Sequence, residues 1–172
     1  SYHRSFGTPV TILRPFNTYG PRQSTRAVIP TIITQILDGA ESIKLGALDP
    51  TRDFNYVNDT VCGFIATLDA ESIDGEVINL GTGFDISIGD TATLIAETLN
   101  TDIDIYRDKD RLRPINSEVQ RLQAAHQKAV DLLNWMPEYG GFDGLRQGIE
   151  ETVNWFSQAE NRAKYKTETY AI

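Results

Sequence analysis

Four polar side chains in this sequence stand where they could bind one anion together. Asn17 follows an apolar, β-rich segment, and either Arg22 or Arg26 supplies a charge from the loop after it. Arg52 lies at the start of a predicted strand, and Arg113 lies before a proline. Ligands of open α/β sheets bind outside the carboxyl ends of the strands. An arginine fork donates two parallel hydrogen bonds to phosphate, so these positions predict a diphosphate site. The alternative is that the arginines form surface ion pairs worth ~0–1 kcal/mol each.

The composition is that of an ordinary globular protein and excludes several classes. The 172 residues are 40% hydrophobic and 23% charged, with a net charge of −8. Nucleic acids and anionic membranes need a basic surface, so neither is predicted as a partner. The single cysteine, Cys62, can form no internal disulfide and has no second cysteine with which to bind zinc, which fits a cytoplasmic location. The longest apolar run is too short for a membrane span.

Strand and helix patterns alternate along the chain, which predicts an α/β fold. Apolar residues at helical spacing predict helices over residues 28–37, 58–69, 120–133 and 142–156, with a further helix that Ser87 caps. Short apolar runs predict strands over residues 10–14, 43–45, 54–57, 76–80 and 103–106. These strands are too few and too scattered for a complete doubly wound sheet. We therefore expect elements of a partial Rossmann-type sheet together with a small α/β lobe.

A series of motifs in a fixed order resembles one known family. They are LRPFNTYGPRQ, VIPTII, PTRDFNYVNDTVCGF, EVINLGTG, RPINSEV and KAVDLLNWMPEYGG. The series is similar to the C-terminal half of the NAD-dependent epimerase/dehydratase family, which are extended short-chain dehydrogenases. The finer pattern resembles nucleotide-sugar 4,6-dehydratases of nonulosonate (legionaminic acid) biosynthesis. The resemblance covers residues 1–156 as a substrate-binding portion, and residues 157–172 are expected to be a frayed tail.

The resemblance implies contacts with the diphosphate of a nucleotide sugar. Asn17 matches the family asparagine beside the diphosphate, and Arg52 and Arg113 match its two arginines. Where many relatives have a lysine, this chain has Ala27 with Arg26 beside it, so Arg26 is the weaker candidate.

The resemblance also implies contacts with the rest of the ligands. Val28 and Ile29 match a backbone and apolar shelf for the base or ribose, and Asn116 stands where relatives often have an aspartate for the ribose hydroxyls. Pro15 and Phe16 match the stretch that passes the nicotinamide end of NAD.

The redox chemistry of the family needs groups that this sequence lacks. No tyrosine has a lysine four positions later, and no G-x-G-x-x-G occurs. The chain is therefore expected to be a portion of an NAD-dependent 4,6-dehydratase that is inactive alone, binds no NAD alone and pairs with an absent N-terminal half. A homo-oligomer is one option, and the oligomeric state stays open. The alternatives are a 4-epimerase or decarboxylase portion, or a stand-alone binding or oligomerisation module. The nucleotide remains open among UDP, GDP and dTDP.

Three acidic residues are expected to have structural roles. Asp53 and Asp59 are expected to fix loops and a helix start. Glu118 is expected to be solvated at the start of a helix, with contact to substrate as the alternative.

Overall fold

The predicted α/β fold is confirmed in a computed structural model that describes residues 1–108 and 118–165. The helices are α1 Tyr2–Phe6, α2 Val28–Leu37, α3 Val57–Asp69, α4 Ile88–Thr98, α5 Gln127–Leu133, α6 Gly141–Ser157 and α7 Ala159–Arg162. The strands are β1 Ile12–Pro15, β2 Thr18–Tyr19, β3 Ser42–Leu45, β4 Thr51–Arg52, β5 Asn55–Tyr56, β6 Val77–Leu80, β7 Ile86–Ser87, β8 Asp104–Arg107 and β9 Arg121–Leu122.

The described strands form four small sheets. Three are parallel pairs, namely β1 with β6, β2 with β5 and β3 with β8. The fourth places β4 between antiparallel β7 and parallel β9. In the first pair Ile12 lies opposite Val77, and Phe16 donates its backbone N–H to the Leu80 carbonyl at 2.8 Å. These short sheets match the expectation of partial sheet elements.

Two hydrophobic clusters hold the elements together. The larger contains buried residues from α2, α4 and α6, among them Ile32, Ile33, Ile95, Ile149 and Phe156. The smaller lies against β6 and α5 and includes Ile78, Leu80 and Trp135. The predicted helical spacing of α2, α4 and α6 is confirmed, because the apolar side chains that recur every three or four residues are the ones that the first cluster buries.

The helix boundaries follow local chemistry. Ser87 caps α4 as predicted, since its Oγ accepts the Asp90 backbone N–H at 2.9 Å. Helix α2 ends before Gly39, whose φ of +80° is the left-handed conformation typical of a helix end. Helix α3 begins at Val57 with Tyr56 in the cap position, so Asn58, where the sequence predicts the helix to start with this residue as its cap, lies inside the helix.

The prediction of one helix over residues 120–133 is wrong in its first half. Residues 121–122 form β9, and Thr51 donates its N–H to the Gln120 carbonyl at 2.8 Å. Asp53 donates its N–H to the Leu122 carbonyl at the same distance. The ladder with β4 satisfies these carbonyls in place of helical hydrogen bonds, so the helix begins only at Gln127.

The structure describes only part of the tail predicted over residues 157–172. Within that part, Ala159–Arg162 form α7, and the Tyr165 ring centroid lies 5.3 Å from that of Phe156. The frayed tail as a whole stays a prediction. The apolar face of α3, formed by Val61, Phe64, Ile65 and Leu68, is exposed. No helix in the described ranges combines the length and apolarity that crossing a membrane requires.

Candidate functional site

A cavity of about 370 Å³ lies where the loop after β1, the start of α2, β4 and the start of α4 meet. Its wall includes five of the residues that the sequence predicts for a ligand site: Asn17, Arg26, Val28, Ile29 and Arg52. Val28 is partly buried, and the Ile29 side chain is buried in the larger hydrophobic cluster. Ile29 can therefore offer a ligand its backbone, while Val28 can offer an apolar surface as well.

Of the other four predicted residues, two lie away from this wall and two are not among the described residues. Pro15 and Phe16 lie at the end of β1, where Pro15 is exposed and Phe16 is partly buried, and neither lines the cavity. Arg113 and Asn116 fall outside the described residues.

Arg52 is held rigidly at the edge of the cavity. Its Nη1 donates to the carbonyls of Thr51 at 2.8 Å and Val119 at 2.7 Å, and its Nη2 donates to Glu118 Oε1 at 2.7 Å. The Arg52 and Glu118 side chains are each 14% exposed. A guanidinium has five N–H donors, so three bonds to described residues leave two donors for a ligand. Because the planar fork is already fixed, less entropy is lost when an anion binds.

The start of α2 offers a second anion-binding feature. The cap position is Ala27, and no side chain caps the helix and no acidic residue lies in its first turn. The first N–H groups of a helix lack helical partners and carry the positive end of its dipole. Ala27, Val28 and exposed Arg26 all border the cavity. Both the helix start and the nearby guanidinium therefore favour a negatively charged group there.

Asp53 fixes the loops behind the cavity. This fully buried carboxylate accepts hydrogen bonds from the backbone N–H groups of Thr82, Gly83 and Ala124 and from the Thr82 hydroxyl, at 2.9–3.0 Å. The Asp53 carbonyl also accepts the Asn17 Nδ2–H at 2.9 Å. Asp53 thus joins the Gly81–Gly83 loop, the segment after β9 and Asn17, which is the loop-fixing role that its sequence position predicts.

Two further side chains line the cavity: Glu118, for which contact to substrate was the alternative interpretation, and Gln23, which is not predicted as a binding residue from the sequence. Glu118 pairs with Arg52 in an extended segment before β9, so its expected solvated helix start is wrong. Gln23 donates its Nε2–H to the Thr18 carbonyl at 2.7 Å, while its buried Oε1 has no hydrogen-bond partner in the described part of the chain. The pairing of Glu118 with Arg52 spans 66 positions, and no local spacing signals it.

A separate acidic and aromatic cluster anchors α6. Glu151 accepts hydrogen bonds from the hydroxyls of Tyr56 and Tyr139, both at 2.7 Å. The hydrogen bond to Glu151 is the main cause that raises the pKa of Tyr139 to about 12, and burial followed by Glu151 raises the pKa of Tyr56. Burial raises the pKa of the Asp59 carboxyl, although the backbone N–H groups of Glu138 and Tyr139 oppose the shift. Both tyrosines therefore keep their protons at neutral pH, and the cluster has a structural role.

Among residues 1–108 and 118–165, no three His, Cys, Asp or Glu side chains group as a metal site would require. Cys62 is exposed on α3. Among the described residues, the charged ones in the cavity wall are Arg26, Arg52 and Glu118.

Comparison with known proteins places this arrangement in a family. The family model described as GDP-mannose 4,6 dehydratase matches residues 1–148. The chain belongs to this family. The resemblance to NAD-dependent epimerases and dehydratases of the extended short-chain dehydrogenase type is thereby confirmed.

Members and structural neighbours of the family catalyse different reactions. A UDP-N-acetyl-alpha-D-glucosaminuronate decarboxylase of Bacillus cytotoxicus is 32% identical over 160 residues, which are 90% of this chain and 48% of the relative. A dTDP-glucose 4,6-dehydratase of Bacillus anthracis in complex with NAD is 26% identical with a TM-score of 0.81, over 92% of this chain and 48% of that one. A UDP-glucuronic acid 4-epimerase of Bacillus cereus, in complex with UDP-glucuronic acid and NAD, is 29% identical with a TM-score of 0.79, over 95% and 48%. The chain spans about half the length of these relatives.

Among the described residues, those that suit contact with NAD lie at the carboxyl end of β1. Pro15 and Phe16 offer a short apolar surface at the carboxyl end of β1, of the kind that could face a nicotinamide ring. The pyrophosphate of a dinucleotide needs a glycine-rich loop at a helix start, and the sequence contains no G-x-G-x-x-G. That this chain alone binds no NAD stays a prediction.

Proposed function

We propose that this chain is the nucleotide-sugar-binding portion of an NAD-dependent nucleotide-sugar 4,6-dehydratase. The observation that carries the proposal is the cavity in which Asn17, Arg26 and Arg52 meet the uncapped start of α2. Two arginines and free backbone N–H groups suit the two negative charges of a diphosphate. Chemistry and NAD binding would come from the remainder of the enzyme, so this portion is proposed to be inactive alone.

The remaining contacts of the substrate follow from the same wall. Val28 and the Ile29 backbone would support the base or ribose, and Asn17 has a second amide N–H besides the one that it donates to the Asp53 carbonyl. Arg113 and Asn116 stay candidates for the diphosphate and ribose on the sequence resemblance. These contacts are not selective among UDP, GDP and dTDP, so each is a candidate nucleotide.

Exposed apolar surfaces support a protein partner for this portion. Leu68 is 82% exposed and Ile65 54% exposed on α3, and Ile12 is 49% exposed on β1. Large apolar side chains exposed together often mark an interface. The N-terminal, NAD-binding half of the enzyme is the proposed occupant, and assembly as a homo-oligomer is a further expectation.

Epimerisation and decarboxylation are the second candidates, because relatives with those activities match the chain at similar identity. Mass spectrometry of the products of the whole protein separates the three reactions. Dehydration removes water from the sugar, decarboxylation removes carbon dioxide and epimerisation leaves the mass unchanged. A stand-alone binding module would yield no product and would bind tightly without a second half.

The binding claim is tested with Arg52. NMR titration should show that the chain binds UDP and UDP-N-acetylglucosamine weakly, because it supplies one wall of the site. We expect Arg52→Ala to weaken binding ~10-fold or more, and Arg52→Lys to lose about half of that free energy because the fork is gone. Arg162→Ala is the matched control, since Arg162 faces Asp38 at 3.9 Å and does not line the cavity. Equal affinity of wild type and Arg52→Ala would contradict the proposal. A sub-micromolar Kd of the wild-type chain would contradict the prediction of weak binding.

A further inference from the structure

A second cavity, of about 490 Å³, forms an open groove between β7, α4 and the start of α6. Thr51 lines this groove while its neighbour Arg52 lines the anion-binding cavity, because successive residues of a strand point to opposite faces. The floor of the groove is apolar, since Ile86 and Leu94 are buried and Phe84 is partly buried. The groove is therefore a separate surface from the site described above.

One wall of the groove already contacts a cation. Phe142 is 44% exposed, and its ring centroid lies 6.4 Å from that of Phe84 in an edge-on arrangement. The guanidinium carbon of Arg146 lies 5.3 Å from the Phe142 centroid, which is a cation–π contact, and its Nη2 lies 3.6 Å from Glu97 Oε2. The Arg146 and Glu97 side chains are 40% and 58% exposed, and exposed ion pairs contribute little to stability. A cation from outside the chain can therefore displace Arg146 at low cost.

The charges that line the groove are all negative. They belong to Asp85, Asp90 and Glu97, and no basic side chain of the described residues lines the groove. Arg121 neutralises Asp85 through two hydrogen bonds of 2.9 Å. Asp90 accepts the Ser87 hydroxyl at 2.6 Å and forms no ion pair within residues 1–108 and 118–165. Asp90 and Glu97 are seven positions apart on α4, so their charges are spaced about 10 Å along the helix axis.

We propose that this groove binds a segment of a partner protein that carries two basic side chains with an aromatic or large apolar side chain between them. One small cation could contact only one of the two separated carboxylates. Alternate residues of an extended segment share a face, and the first and fifth lie about 13 Å apart, within reach of Asp90 and Glu97 through long basic side chains. The middle side chain would lie on Leu94 and Phe142, and the opposite charges would fix the register. This inference does not depend on a nucleotide sugar in the other cavity.

The first test is an amide NMR titration of the chain with four probes. The reference probe is an acetylated and amidated pentapeptide with lysine at both ends, phenylalanine in the middle and alanine between them. The second peptide has glutamate in place of lysine, and the third has alanine in place of phenylalanine. The fourth probe is phenethylammonium, a single small cation with one aromatic ring.

We expect the reference peptide to cause saturable shifts at residues 84–97 and 142–146. The glutamate peptide should bind at least ~10-fold more weakly because its charges repel those of the groove, and loss of the phenylalanine should weaken binding about 5- to 10-fold. Absence of saturable shifts, or shifts confined to another surface, would overturn the proposal. Binding of phenethylammonium as tight as that of the reference peptide would overturn a peptide partner in favour of a site for small cations.

The second test removes the two charges of the groove. Asp90→Asn combined with Glu97→Gln keeps the size of both side chains and the Asp90 backbone N–H that Ser87 caps, and should weaken the reference peptide ~10-fold or more. Asp69→Asn combined with Glu71→Gln is the matched control, because both residues are exposed and lie outside the groove.

Thermal unfolding checks that each double variant keeps its fold, and Glu97→Gln alone replaces the first variant if it does not. The control should bind the reference peptide as wild type does. Equal weakening in the groove variant and the control would overturn the proposal, because net charge and not the groove would then attract the peptide. Unchanged affinity of the groove variant would overturn it as well.

Discussion

At the scale of single residues, Asp53 has the most demanding hydrogen-bond role in the described chain. Its buried carboxylate is acceptor-only, and four donors from three residues converge on it. The same residue adjoins Arg52 and accepts the Asn17 amide through its carbonyl. The position of both ligand-binding candidates therefore depends on a group that does not line the cavity.

Replacing Asp53 by asparagine should destabilise the fold severely. The new amide N–H₂ would face backbone N–H groups, which leaves buried donors unpaired. We expect the free energy of unfolding to fall by about 3 kcal/mol or more in urea titrations. Asp49→Asn is the control, because that carboxylate is 84% exposed, and it should change stability by less than about 0.5 kcal/mol. A stability of Asp53→Asn equal to that of the control would refute the assigned role.

We predict that the folded state loses stability at alkaline pH because the Tyr139 hydroxyl then loses its proton. Because its folded pKa is about 12 and its ordinary value is 10.0, the folded state holds the proton more tightly than the unfolded chain. The stabilisation is complete below pH 10 and is lost as the pH rises toward 12. Glu151→Gln should lower the pKa of Tyr139 and flatten this loss, as measured by tyrosinate absorbance and urea unfolding. Glu150→Gln, on the exposed neighbouring residue, should keep the wild-type profile, and a flattened profile there would argue against the assignment.

The types of the residues and their positions relative to the predicted strands were enough to predict part of the cavity wall. Asn17 follows β1 and Arg52 ends β4, so their places at strand ends could be inferred from the sequence, and the cavity brings them together with Arg26. Glu118 and Gln23 could not be predicted in this way, because their positions depend on tertiary contacts. The roles of all five in binding remain predictions.

At the scale of elements, α6 packs closely on aromatic side chains. A Cβ at Gly148 would overlap the Tyr19 hydroxyl and come within 3.0 Å of the Tyr56 ring. Both rings are buried and contact each other at a centroid distance of 5.5 Å. The close approach of α6 to β2 and β5 therefore requires glycine at this position.

Gly148→Ala should destabilise the chain despite the better helix propensity of alanine. We expect a net loss of about 1 to 2 kcal/mol, since overpacking costs roughly 1–3 kcal/mol and propensity returns up to ~1 kcal/mol. The comparison variant is Gly89→Ala in α4, where the nearest atoms would lie at an ordinary 3.6 Å. It should be neutral or slightly stabilising in thermal unfolding. If both variants behaved alike, the close packing of α6 would not be the cause.

The elements also show where patterns in the sequence mislead. Periodicity predicted α2, α4 and α6 well because the core buries one face of each helix. It predicted a helix at residues 120–126, where pairing with β4 and the Asp53 carboxylate imposes an extended segment. It also gave α3 an apolar face, although nothing in the described chain covers Val61, Phe64, Ile65 and Leu68. Periodicity reports which face is apolar and does not report what covers it.

At the scale of the whole molecule, the chain combines a binding cavity with an incomplete set of sheets. The cavity borders the larger cluster, while the pair of β1 and β6 lies on the smaller one. Ile12 of β1 and the apolar face of α3 are exposed. This arrangement supports the proposed role of the chain as the substrate-binding portion of an enzyme.

The most direct measurement is an amide NMR map of the chain during titration with UDP-N-acetylglucosamine. The account predicts shifts concentrated at Asn17, residues 26–29 and Arg52. Arg52→Ala should move the titration midpoint ~10-fold or more to higher ligand concentration, and Arg162→Ala should leave it unchanged. Residues of the smaller cluster, such as Ile78 and Leu80, should not shift. Saturable shifts confined to another surface would contradict a nucleotide-sugar site in this cavity, and so would shifts at the cavity with the same titration midpoint in wild type and Arg52→Ala.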